Sequence, residues 1–217
     1  MKTIRLLLAG LAMSLATAGA ALADAVDTGI AQIQGEWAHI NYEVESKPAR
    51  VGQFDRLAAR AEALAKQYPN RAEPLVWQAI ILSTEAGAKG GMGALPLVQK
   101  AKALLERAEK INPTALNGSV YTTLGSLYYQ VPGFPVGFGD KNKARAYLKK
   151  ALAVNPNGID PNYFYGDFLY QQGEYAEAAR VLQRAAAAPA RPGRELADRG
   201  RRAEIRELLA KVRRKVG

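Results

Sequence analysis

The sequence predicts an all-α chain: an α-solenoid of about four helical hairpins stacked side by side and closed by a C-terminal capping helix. Three observations carry this. Large apolar residues recur three and four positions apart along most of the chain, the spacing of helices that bury one face. A small-x3-large-x2-small pattern repeats: Ala101, Leu105 and Ala108, then Ala144, Leu148 and Ala151 43 residues later, then Ala178, Leu182 and Ala185 a further 34 on. The composition, rich in Ala, Leu, Arg, Lys and Glu, is that of helical proteins. A single hairpin is too thin to hide its apolar face, so neighbours must cover it.

Taken in order, residues 1–23 read as a secretory signal peptide. Lys2 and Arg5 form a basic start, Leu6 to Leu15 a short apolar core, and Ala21-Leu22-Ala23 a small-residue cleavage site. Cleavage after Ala23 would start the mature chain at Asp24; the alternative is an uncleaved anchor. Residues 24–71 read as a degenerate first hairpin. Ile30, Ile33, Trp37 and Ile40 stripe one helix; Phe54, Leu57, Ala61, Leu64, Ala65 and Tyr68 stripe the next. Between them, the polar stretch Glu43 to Gly52, with Pro48, predicts a loop over 43–53.

Residues 72–190 hold three further hairpins. The first is interrupted by the glycine-rich run 87–96. The second opens Tyr121-x2-Leu124-Gly125-x2-Tyr128 and is split by residues 130–140, where two prolines and three glycines exclude helix. Asp140 reads as the N-cap of the helix that follows, and Asp160 before Pro161 as the next. The third has no insertion. Residues 191–217 form a basic capping helix, about Glu195 to Lys215. It carries Leu196, Ile205, Leu208, Leu209 and Val212 on one side and arginines on the other.

These motifs resemble the tetratricopeptide repeat, a 34-residue unit of pattern W-x2-L-G-x2-Y, then A-x3-F, then a closing proline. Tyr121, Leu124, Gly125, Tyr128, Ala144, Leu148, Ala151 and Pro156 match it, with Tyr for Trp and Leu for Phe. Trp77, Ala101, Leu105, Ala108 and Pro113 match a second copy. Gly166, Gly173, Tyr175, Ala178, Leu182 and Ala185 match a third. The resemblance implies a right-handed superhelix whose concave side is lined by the first helix of each hairpin. Solvent-facing groove positions would then include Gln78, Glu85, Thr122, Ser126, Tyr129, Tyr163, Asp167 and Tyr170. Tyrosines there offer broad contact at low entropic cost.

Two further surfaces stand beside the groove. The turns within hairpins should gather on one rim, where the 130–140 loop places Phe134 and Phe138 either as a recognition lip or as a cover over the hairpin end. The arginines of the tail, Arg191 to Arg214, form either a salt-bridged exposed face or a dock for an anionic surface.

The chain bears a net charge of +10 and has no cysteine and one histidine, His39. In the cytosol such a charge would suggest nucleic acid; export points instead to cell-envelope surfaces, an acidic partner, or a solvated basic face. No disulfide or lipidated cysteine is available, and no cofactor is expected. Metal sites built on His or Cys lack ligands. The glycines at 87–93 lack the Gly-Lys-Ser/Thr of a phosphate loop. The expectation is therefore a non-catalytic periplasmic protein that binds a protein or peptide partner through its groove and rim loops. A second reading is small-ligand handling. The signal peptide, the hairpins and the Gly-Phe-Gly-Asp loop loosely resemble the periplasmic T component of TRAP transporters, which is thought to associate with a solute-binding protein. A third is an envelope hydrolase.

Overall fold

The computed structural model describes residues 25–216. The signal peptide and its cleavage site lie outside the described residues. Among those described there are nine α-helices, one short 3-10 turn and no strand. They are α1 (residues 25–43), α2 (Lys47–Gln67), α3 (Ala72–Lys89), α4 (Leu95–Ile111), α5 (Ala115–Gln130), α6 (Lys141–Val154), α7 (Ile159–Gln171), α8 (Tyr175–Ala187) and α9 (Glu195–Val216). Four antiparallel hairpins, α1/α2 to α7/α8, stack in chain order, and α9 lies on α8. The first helices of successive hairpins, α3, α5 and α7, also touch one another and form an inner row.

The repeated motif packs as its spacing predicts. Leu105, Leu148 and Leu182 are fully buried in one continuous core. Each of the last two fills a gap left by a glycine on its hairpin mate. A Cβ at Gly125 would stand 2.6 Å from Leu148 Cγ, and one at Gly166 would stand 2.6 Å from Leu182 Cγ. Only a residue without a side chain lets these backbones approach so closely. On α9, Ile205, Leu208, Leu209 and Val212 are buried, closing the apolar face that the last hairpin would otherwise expose.

Three boundaries differ from the sequence reading. The first link is only residues 44–46: α2 already begins at Lys47, with Pro48 in its first turn and the Ser46 hydroxyl accepting from Ala49 N. Proline is compatible with a helix start because the first-turn N–H groups have no helical partner anyway. In the second hairpin α3 runs through Gly87 to Lys89. The break is confined to Gly90 and Gly91, both at positive φ, and the turn Met92–Ala94, and Pro96 falls in the first turn of α4. Asp160 is not an N-cap. Gly158 holds that position, and the Asp160 carboxylate reaches out to two arginines instead. Asp140 does cap α6, accepting from the N–H groups of Asn142 and Lys143.

The array curls until its last helix meets its first. Gly200 of α9 lies against the ring of Tyr42 of α1, so closely that a Cβ there would stand 2.3 Å from the ring. Just ahead of α9, Arg194 stacks over Trp77 of α3 at 5.3 Å.

Candidate functional site

This closure walls off a concave cavity of about 760 Å³. Its aromatic and apolar lining comes from Trp37 of α1, Phe54 of α2, Trp77 and Ile80 of α3, and Phe164 of α7. Trp37 and Trp77 pack edge to face at 5.9 Å, and the Trp37 indole N–H donates to Thr84 Oγ1 at 3.0 Å. A hydroxyl-rich wall is formed by Ser119, Thr122, Thr123 and Ser126 of α5. Those hydroxyls donate back to helix carbonyls at 2.7–3.2 Å. Near the start of α5, Leu116 and Asn117 adopt left-handed backbone before Gly118, which brings both into the lining.

Arginines supply the remaining chemistry: Arg50 from α2, Arg191 and Arg194 from the segment before α9, and Arg201 from α9. Asp160 binds Arg191 at 2.6 Å and Arg201 at 2.9 Å, and Arg191 also pairs with Asp198 at 2.6 Å. Burial alone would push the Asp160 carboxyl up, but the guanidiniums of Arg201 and Arg191 outweigh it and hold the group at about 2. The reverse holds at Arg194. Burial, and then the charge of Arg191, push its pKa below the ordinary arginine value.

Of the eight groove positions singled out from the sequence, only Thr122 and Ser126 line this cavity. Gln78 and Glu85, expected to face solvent, are 2% and 3% exposed. They sit on the face of α3 that α2 covers, where Gln78 donates to Glu62 at 3.0 Å and burial raises the Glu85 carboxyl. Thr122 and Ser126 are buried too, but in the cavity wall. Tyr129 donates to Asp167 Oδ2 at 2.7 Å, tying α5 to α7. Burial raises both groups, with Tyr129 well above the ordinary tyrosine value. Tyr163 lies under the Arg201 guanidinium at 4.2 Å, and Tyr170 packs on Tyr175 at 5.6 Å. The tyrosines are joints between elements rather than the rim of an open groove.

The 131–140 loop divides between the two roles set out for it. Phe138 folds back to meet Tyr128 at right angles, 5.8 Å between centroids, and Lys102 Nζ lies over the Phe138 ring at 5.7 Å. Phe134 is 95% exposed and Val136 is exposed beside it. The loop base is tightly closed: Gly139 N donates to Pro132 O at 2.9 Å and Asp140 N to Tyr128 O at 2.8 Å. A Cβ at Gly137 would lie 3.6 Å from Leu95, so this loop borders the start of α4. Phe134 thus projects from a braced support.

The tail arginines also divide. Arg191, Arg194 and Arg201 turn inward to the cavity, Arg202 donates to the carbonyls of Ala186 and Ala188 at the end of α8, and Arg199, Arg206, Arg213 and Arg214 face solvent. Sequence reasoning missed Trp37, Trp77, Arg50 and the inward arginines as site residues. Trp77 occupied a repeat-motif position and so read as core; the arginines read as one surface face because their inward turn depends on contact with Asp160 of α7 and Trp77 of α3, far off in sequence.

The described helices form an α-solenoid of stacked hairpins around this cavity. Residues 137–212 match the tetratricopeptide repeat family. Two solved structures are similar to it. One is the crystal structure of MamA protein, 21% identical over 83% of this chain and 92% of that one, with a TM-score of 0.44. The other is TTC0263, a thermophilic TPR protein of Thermus thermophilus, 17% identical over 78% of this chain and 99% of that one, with a TM-score of 0.39. No curated protein matches the chain.

Proposed function

We propose that this chain is a non-catalytic binding scaffold of the cell envelope, exported by its N-terminal segment and periplasmic in a Gram-negative cell. The concave cavity takes a ligand, and the braced loop around Phe134 docks a protein partner. One observation carries this reading: helices from successive hairpins and the approach to α9 enclose a single mixed aromatic and arginine-lined cavity of about 760 Å³. That volume is in the range of small-molecule sites, about 300–1,000 Å³. His39 stands outside this cavity, its side chain 56% exposed and paired with Glu43 at 2.7 Å. The solvent-facing tail arginines offer contact with an anionic surface.

Enclosure supports a second reading, a transporter-associated component whose docking partner is a solute-binding protein. Tetratricopeptide folds typically bind protein partners, so both readings expect one at the lip. The test is affinity capture from envelope extract with the wild-type chain and with Phe134→Ser/Val136→Ser, leaving Phe138 in place because it packs on Tyr128. The expected result is a partner retained by the wild type and lost by the variant; equal recovery would dismiss the lip. A solute-binding protein among the captured species would favour the second reading.

A further inference from the structure

The cavity holds more positive charge than its own carboxylates neutralise. Four arginines line it, and the carboxylates beside them, Asp160, Asp198 and Glu204, are all taken up by Arg191 and Arg201. Arg50 and Arg194 form no ion pair among the described residues. The Nε atom of each, and the indole Nε1 of Trp77, are buried with no hydrogen-bond partner there. Withdrawing a guanidinium from water without a counter-charge is costly, and a nearby anion offsets that cost. Low-dielectric walls also focus the field of the surplus charge into the cleft. Arg194 is stacked on Trp77, which leaves the in-plane N–H groups of its fork for a planar acceptor such as a carboxylate.

A second wall has the opposite chemistry. The α5 hydroxyl protons are committed to backbone carbonyls, and those of Ser83 and Thr84 on α3 are committed in the same way. Such hydroxyls have only oxygen lone pairs left to offer. The same cavity is also lined by the indole of Trp37 and the phenyl ring of Phe54.

We propose that the cavity binds a small amphipathic organic acid, with its carboxylate at Arg50 and Arg194 and its hydrocarbon or aromatic body against Trp37 and Phe54. The inference rests on the reading of the cavity as a ligand site and specifies the chemistry of that ligand.

Trp37 and Trp77 are the two tryptophans of the chain, and both line the cavity. Intrinsic tryptophan emission therefore reports its occupancy. The full chain is titrated with octanoate, the neutral isostere octanamide, inorganic phosphate and a blocked tri-aspartate peptide. The expected result is a saturable emission shift with octanoate and binding of octanamide about tenfold weaker or more, the scale of a charged hydrogen bond. In Arg50→Gln/Arg194→Gln that preference for the acid over the amide disappears. Arg50→Gln alone, with helicity and unfolding midpoint as controls, serves if the double variant does not fold. Equal affinity for acid and amide overturns the inference while leaving the cavity a ligand site, and so does a preference that survives in the variants. Phosphate binding as tightly as octanoate overturns it in favour of a plain anion site; tighter tri-aspartate binding overturns it in favour of a peptide. No response to either octanoate or octanamide sinks the ligand-cavity reading beneath it.

Discussion

Gly166 and Leu182 show how much of this fold rests on single atoms. The repeat spacing made both legible as partners, because a glycine inside a helix has no local reason to be there and costs about 1 kcal/mol relative to alanine. Its reason is the Leu182 side chain 2.6 Å from where a Cβ would be. Gly166→Ala is expected to destabilise the protein by about 1–3 kcal/mol through overpacking. Leu182→Ala is expected to cost about 2–5 kcal/mol through the void it leaves. The double variant should cost less than the two combined, because the added methyl group occupies part of that void. Denaturant midpoints at constant slope measure all three, and strict additivity would show that the two residues do not share one packing site. Gln78 and Glu85 show the opposite case. Their polarity placed them on the open side, yet the burial of α3 beneath α2 decides their exposure, and that contact is not encoded in either residue's immediate neighbours.

At the scale of elements, hairpins and their punctuation were readable and the starts of helices less so. Pro48 and Pro96 read as breaks although each lies in a first turn, since proline signals both a loop and a helix start. Asp140 was legible because its cap bonds are local; Asp140→Ala should cost about 1 kcal/mol by thermal or chemical unfolding. Asp160 was misread because its partners come from 31 and 41 residues away. Its folded pKa of about 2 lies below the ordinary 3.8. The stability it contributes is therefore fully present above 3.8 and lost as pH falls through about 2. Asp160→Asn should remove the carboxylate that Arg191 and Arg201 share, leaving Arg191 with Asp198 and Arg201 with Glu204, and cost about 2 kcal/mol at neutral pH. Across that acidic window the variant should lose less stability than the wild type; parallel curves would show that Asp160 does not anchor α9.

For the whole molecule, the stacked core was predictable from periodicity, whereas the cavity was not. It exists only because α1 and α9, at opposite ends of the chain, come together, and no local pattern reports such a contact. Helix α9 is as much cover as cap. Its four buried aliphatic side chains contribute roughly 2 kcal/mol each, on the order of 8 kcal/mol together. That is comparable to the entire stability of a domain. A chain ending at Ala190 should bind a hydrophobic dye, unfold without a cooperative transition and fail to retain any ligand that the full chain holds; a sharp transition near that of the full chain would contradict this. Open repeat arrays lengthen readily, because each unit meets only its neighbours. The seat of Tyr42 over Gly200 removes that freedom. A duplicated hairpin would force the two ends past one another, so this bracelet has one clasp and one size.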